Sequence, residues 1–252
     1  MNNILIIGYG IVGQNVYLKL KSLHPDIVDK YKPFYNTIKL NKKYDLAFVC
    51  VNTPSTEYDL CDRTELYDAI DEYKRYMNDD GIIVIKSTIL PGTCNYIINK
   101  FKYSNIVFSP EYYGETQHCN NFDFDFTILG GDKSNSKKVI QILQEIYDAR
   151  HKFVMTDFKT AEVAKYMENS WIATKVSFCN QFAEICKNEN INYEELRELF
   201  ILDPRVNPSH TFVYDNHPYW NSKCLNKDVP AIAEFENAEL LKAIIEYNKK
   251  NQ

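Results

Sequence analysis

Near the amino terminus, Gly8-Tyr9-Gly10-Ile11-Val12-Gly13 commits three of the chain's eight glycines to the spacing G-x-G-x-x-G, directly after the apolar run Ile4-Leu5-Ile6-Ile7. In that pattern the first glycine allows a tight turn, the second lets backbone approach a pyrophosphate, and the third brings helix and strand close together. The helix that opens there offers unpaired N–H groups and a positive dipole end to phosphates. Glycine-rich turns also occur with no ligand. With a buried strand before it and a helix after it, this one reads as a dinucleotide loop formed by Gly8, Gly10, Ile11, Val12 and Gly13. Asp29 follows sixteen residues after Gly13. A carboxylate there accepts from ribose hydroxyls and repels a 2′-phosphate, favouring NAD over NADP. Asp29 could instead cap a strand-end turn, and the adjacent Lys30 leaves NADP open.

These groups need a scaffold to carry them. Residues 4–8, 26–29, 45–51, 81–85, 105–108 and 127–131 read as strands, the more apolar of them buried on both faces. Helical stretches separate them: one over 14–23, one after the last strand through residue 146, and one starting at Asp62, with Glu65 completing a capping box. Strands alternating with helices predict an α/β fold, a Rossmann-like doubly wound parallel sheet with helices on both faces. The short connection from Asp29 to Tyr44 leaves little room for a full second crossover helix. From 160 to 190 the chain has no Gly or Pro, and apolar residues recur at Val163, Met167, Trp171, Val176, Phe182 and Ile185. This predicts one long, heavily buried helix. Residues 193–200 continue helical, 203–228 form an irregular loop with Pro204, Pro208 and Pro218, and Val229 onward is helical. The reading is a nucleotide-binding domain over 1–155 and an all-helical domain over 156–252 built on the long helix.

Composition excludes several partners. A net charge of −5 over 252 residues argues against nucleic acid or an anionic membrane surface. No apolar run approaches the ~20 residues that span a bilayer. The start lacks a basic n-region and a small-residue cleavage site. Seven scattered cysteines without a CxxC pair argue against a disulfide framework or a metal site, and for a reduced, cytoplasmic chain.

Six segments in order resemble the motifs of the UDP-glucose/GDP-mannose dehydrogenase family. They are Gly8–Gly13, Val51-Asn52-Thr53-Pro54, Lys86-Ser87-Thr88-Ile89-Leu90-Pro91-Gly92-Thr93, Ser109-Pro110-Glu111-Tyr112-Tyr113-Gly114-Glu115, Glu162-Val163-Ala164-Lys165-Tyr166-Met167-Glu168-Asn169 and Cys224-Leu225-Asn226-Lys227-Asp228. The resemblance implies NAD-dependent oxidation of a sugar-nucleotide primary alcohol to a carboxylate in two steps. Cys224 would be the nucleophile that traps the aldehyde as a thiohemiacetal and then a thioester. Asp228, four residues on, would position water or take a proton. Lys165 and Asn169 share one helix face and would donate to a developing oxyanion, although alone they would read as a solvated pair. Family matching gives Thr88 a hold on the catalytic water or substrate hydroxyl and a place by the cofactor. It makes Glu111 the base in thioester hydrolysis, places Thr53, Pro54 and Glu115 near NAD, and assigns Arg205 and Lys227 to substrate. Glu111 could instead be a helix-start carboxylate, and Arg205 a surface charge.

Two departures stand out. The family loop before the cysteine is glycine-rich, whereas His217-Pro218-Tyr219-Trp220-Asn221-Ser222-Lys223 contains no glycine. Family members also continue into a UDP-binding domain beyond a helix like 240–248. Three readings follow: a sugar-nucleotide dehydrogenase minimal in form, an enzyme for a smaller alcohol or sugar acid, or an NAD-binding module without turnover. The apolar circumference of the long helix predicts a homodimer.

Overall fold

Alternating side chains along the strands decide how the first half of the chain packs. In the computed structural model, which describes residues 2–39, 41–58, 60–112 and 124–251, seven strands form one sheet: β1 Ile4–Ile7, β2 Asp26–Val28, β3 Tyr44–Val49, β4 Met77–Ile85, β5 Ile106–Phe108, β6 Phe126–Gly131 and β7 Lys152–Thr156. Their order is β2-β1-β3-β4-β5-β6-β7, and every neighbouring pair is parallel except β5 with β6. Leu5, Ile7, Ala47, Val49, Ile83, Ile85 and Phe108 point to one face. There they meet helix α2 (Thr64–Tyr73), helix α3 (Thr93–Phe101) and the start of α5 (Phe158–Glu189). Ile4, Ile6, Leu46, Phe48, Ile82, Val84 and Val107 point to the other, against α1 (Ile11–Leu20) and α4 (Lys133–Leu143). A strand buried on both faces must be apolar throughout, as β1 is.

Beyond β2 the chain makes only a single 3₁₀ turn at Pro33–Tyr35 before crossing to β3 on the far side of β1. The sheet therefore reverses direction around β1, and ligands of such sheets bind at a reversal of this kind, outside the strand C-termini.

Several element boundaries differ from the sequence reading. The helix expected from Asp62 starts at Thr64, with Arg63 at the cap position. Asp62 Oδ1 still accepts the Thr64 N–H at 2.9 Å, but Glu65 takes the Tyr31 hydroxyl rather than closing a capping box. β7 went unread. The helix expected from Val229 begins at Lys223, giving α7 (Lys223–Phe235) and α8 (Glu239–Asn251).

The chain divides into two compact units. The first contains Met1–Pro54, Cys61–Tyr113 and Phe122–Lys165; the second contains Tyr166–Gln252 with the short stretch Ser55–Leu60. The division falls inside α5, between Lys165 and Tyr166. Within the second unit, Ala173 of α5 packs with Trp220, Leu225 and Val229 around α7 and with Ile244 of α8. Helix α6 is Tyr193–Phe200.

Candidate functional site

The three glycines of the amino-terminal loop differ in what holds them. Gly8 has φ +89°, and a Cβ there would lie 2.8 Å from the Cys50 carbonyl oxygen. A Cβ on Gly13 would lie 2.0 Å from the Gly8 carbonyl oxygen, so helix and loop touch there. Gly10, the cap residue of α1, has nothing within 4 Å of where its Cβ would be. No internal contact requires a glycine at that position. That side is open, and the first turn of α1 carries no acidic residue to oppose an anion. Ile11, the first residue of α1, is 65% exposed, and Val12 packs at the edge of the apolar layer below. These features fit a dinucleotide pyrophosphate.

Asp29 is buried and accepts three backbone N–H groups. One carboxylate oxygen accepts the Tyr9 N–H at 2.6 Å, and the other accepts the Tyr31 and Lys32 N–H groups at 2.8 Å each. It ties the glycine loop to the turn after β2, the turn-capping alternative of the sequence reading. Lys32 Nζ adds a bond to the Tyr9 carbonyl at 2.9 Å.

At the C-terminal ends of β3 and β4, buried Thr53 donates to the Thr88 carbonyl at 2.8 Å, and Ser87 donates to the Val51 carbonyl at 2.6 Å. These bonds fix the two strand ends that carry Thr53 and Thr88. Pro54 is exposed and Thr88 half-buried. The last residue of the β4 apolar run is followed by buried Lys86, whose ammonium forms an ion pair with Glu111 and donates to Ser109 Oγ at 3.1 Å. A cavity of about 40 Å³ lies beside this pair, lined also by Phe48, Tyr112, Thr127 and Tyr147. That is room for a water or two beside the ion pair, among lining that is otherwise largely apolar. Burial and the nearby Glu111 carboxylate push the Tyr147 phenol up to about 12. Glu115 lies outside the described residues.

On α5, the fully buried carboxylate of Glu162 accepts the Gly92 N–H at 2.6 Å and the Cys94 N–H at 2.9 Å. It serves the amino-terminal turn of α3, and burial raises its pKa against the pull of those two donors. Three residues on, nearly one helical turn, Lys165 is buried with its ammonium 4.8 Å from the Tyr112 ring centre.

In the second unit, Asn169 donates to Asp228 Oδ2 at 2.6 Å, and Lys227 forms an ion pair with Asp228 Oδ1. Asp228 is 1% exposed, so these partners hold a carboxylate that would be costly to bury alone. Cys224 is half-buried in the first turn of α7, one turn from Asp228 on the same helix, and Ser222 caps that turn by accepting the Leu225 N–H at 3.1 Å. Arg205 is exposed and paired with Asp203.

Two residues outside the sequence-stated roles emerge, Lys86 and Glu162. For Lys86 the available signal was a charge ending an apolar run; Glu162 sits among other charged residues and carries no such signal. Among the described residues no cluster of three or more His, Cys, Asp or Glu side chains could hold a metal, and no helix is long and apolar enough to cross a membrane.

Comparison with known proteins adds an independent line. Residues 29–151 match the NAD binding domain of the UDP-glucose/GDP-mannose dehydrogenase family, and residues 159–250 match its central domain. The chain is 33% identical to the UDP-glucose 6-dehydrogenase of Rickettsia prowazekii, over 82% of this chain and 50% of that protein. It is 30% identical to the UDP-N-acetyl-D-mannosamine dehydrogenase of Methanocaldococcus jannaschii, over 92% of this chain and 56% of that one. The chain spans about half the length of the curated relatives it matches. A UDP-glucose dehydrogenase structure from Pyrobaculum islandicum superposes with a TM-score of 0.81 at 19% identity, covering 99% of this chain and 68% of that one.

Proposed function

The chain belongs to the UDP-glucose/GDP-mannose dehydrogenase family, with NAD as its cofactor, and from that premise we propose that it serves oxidation of a sugar-nucleotide primary alcohol, of the UDP-glucose to UDP-glucuronate type, through a covalent bond to Cys224. The observation that carries this reading is the buried Asp228, held by Asn169 and Lys227 one turn from a half-buried thiol at the start of a helix. A helix amino terminus favours a thiolate over a thiol.

NAD, when bound, would accept one hydride, so the two oxidation steps would consume two NAD in succession. The residues of the chain do the rest. Gly10 and the first turn of α1 receive the pyrophosphate. Thr53 and Thr88 border the cofactor, with Thr88 also holding the reacting hydroxyl or water. Lys165 and Asn169 donate to the oxygen on the reacting carbon as charge builds there. Cys224 Sγ bonds to the aldehyde carbon and holds it as a thiohemiacetal, so that the half-oxidised sugar stays bound. After the second oxidation the carbon is a thioester. Water adds to it, the C–S bond breaks, the carboxylate leaves, and the sulfur keeps the electron pair. Glu111 takes the proton of that water. Asp228 orients the attacking groups, and Lys227 and Arg205 contact substrate.

The test is NADH and carboxylate formation with a panel of UDP sugars, wild type against Cys224→Ala. The expected result is turnover of a UDP sugar, with carboxylate formation falling about 10⁶-fold in the variant, the order found for loss of a catalytic nucleophile. Equal carboxylate formation by both proteins overturns the covalent route. Turnover confined to smaller, non-nucleotide alcohols, or NAD binding with no turnover, overturns the substrate class.

The surface of α5 supports a second copy as partner. Val163, Met167, Trp171, Phe178, Phe182 and Ile185 are its exposed apolar residues. At 100° per residue they fall within an arc of about 100°, the width of a helix-pairing stripe. We propose that an identical helix covers this stripe. Light scattering at micromolar concentration is expected to give a dimer for wild type and a monomer for Trp171→Glu/Phe178→Glu. A monomeric wild type refutes the pairing.

A further inference from the structure

The backbone leading into α7 is held by side chains in an unusual way. Tyr219 has φ +72°, a left-handed conformation that bulky residues rarely adopt. Its N–H donates to Asn180 Oδ1 at 3.2 Å and its hydroxyl donates to Glu184, both on α5. Its ring lies edge-on to Tyr247 of α8 at 5.8 Å. The next residue, Trp220, is buried, and its indole N–H donates to Ser177 Oγ at 3.1 Å. Both backbone polar groups of Trp220 pair with one side chain. Its N–H donates to Asn248 Oδ1 at 3.1 Å, and its carbonyl accepts from Asn248 Nδ2 at 3.0 Å. Asn248 is 2% exposed.

A single amide thus acts on Trp220 as a neighbouring strand would, closing both of its main-chain bonds. Two residues later Ser222 caps α7, and Cys224 follows in the first turn. Because the chain between the clasped residue and the thiol is so short, the position of Trp220 sets the direction in which α7 begins. We infer that Asn248, acting through the backbone of Trp220 and the left-handed Tyr219, is a positioning residue for Cys224. This rests on the reading of Cys224 as the nucleophile and goes beyond it by assigning what aims the sulfur.

The clasp does not touch the reacting atoms, so its loss should show as failure of capture rather than loss of binding. A thiol displaced by about an ångström meets the aldehyde poorly, and misplacement on that scale costs up to about 100-fold in rate. The slowed capture lets the aldehyde escape. The test compares wild type, Asn248→Ala, Asn248→Asp and Cys224→Ala, with a hydrazine present to trap free aldehyde. Asp keeps the acceptor for the Trp220 N–H and loses the donor to its carbonyl. Expected are two NADH per sugar and no trapped aldehyde for wild type. Asn248→Ala should drift toward one NADH per sugar with trapped aldehyde, KM staying within about twofold while carboxylate formation falls about 10- to 100-fold. Asn248→Asp should lie between. Simple destabilisation would lower the amount of active protein without changing the ratio of aldehyde to carboxylate. Amide exchange at Trp220 should be slow in wild type and fast in Asn248→Ala, which checks the clasp without turnover. If Cys224→Ala loses carboxylate formation while Asn248→Ala keeps the wild-type NADH ratio, the positioning role is overturned. If Cys224→Ala itself keeps that ratio, it is the role of Cys224 that fails.

Discussion

Gly13→Ala is expected to cost about 3 kcal/mol or more of stability, because the new methyl would sit 2.0 Å from a backbone oxygen that cannot swing away. Relief requires α1 to lift from β1, which opens the apolar layer of Val16 and Leu20 against Ile6 and Phe48. Gly10→Ala is its counterpart. Its φ of −77° suits alanine and nothing lies within 4 Å. The fold should therefore be unchanged or gain about 0.4–1 kcal/mol from a stiffer unfolded chain. NAD affinity should fall at least about tenfold, or ~1.4 kcal/mol, since the methyl occupies the side open to the pyrophosphate. Thermal denaturation with and without NAD separates the two effects. Equal stability of the two variants would show that the loop relaxes more freely than its contacts imply, and unchanged NAD affinity in Gly10→Ala would remove that glycine from the cofactor site.

Lys86→Met should destabilise the first unit by about 3–5 kcal/mol, the usual cost of removing one partner of a buried ion pair. The stranded carboxylate of Glu111 is 16% exposed and would have lost its ammonium. Glu111→Leu should be comparably harmful, leaving Lys86, 7% exposed at its side chain, with only Ser109 among the contacts described here. The double variant Lys86→Met/Glu111→Leu should recover most of the loss, since an apolar pair of similar volume often replaces a buried ion pair at little net cost. A double-mutant cycle by denaturant unfolding measures this, and additive single losses would show that the two side chains act independently.

How much of this could be read from the residues varies from place to place. The glycine spacing after an apolar run carried its meaning openly, because each glycine answers a local steric demand. The burial of the sheet on both faces followed from the apolar runs of β1, β3, β4 and β5. β7 was hidden because its apolar run, Phe153-Val154-Met155, is only three residues long and opens on Lys152, too short to mark a strand by periodicity. The antiparallel β5–β6 pairing left no local trace, since strand direction is set by the connection rather than by side-chain periodicity. The start of α7 is hard to read in the sequence because Val229-Pro230 resembles the first turn of a helix, where proline is favoured. In the structure Pro230 sits inside the helix. Asp29 shows a different limit. A carboxylate at a strand end suits both a ribose and a turn, and only coordinates reveal three backbone N–H groups converging on it. Asn169 and Asp228 were singled out separately. Their direct bond spans 59 residues of sequence, a pairing that no spacing rule can announce.

The clasp around Trp220 also constrains how this stretch can drift over generations. Glycine at 219 would suit the backbone angle and keep the N–H bond to Asn180, but would lose the hydroxyl bond to Glu184 and the ring packed on Tyr247. Changing Asn248 first would leave two main-chain groups of a buried residue without their bonds, and changing Trp220 first would hollow the layer around Ala173, Val229 and Ile244. Each single step is worse than either end point. Descendants of this chain should therefore exchange the whole set together or keep it intact, and lineages that differ at 248 should also differ at 219 and 220.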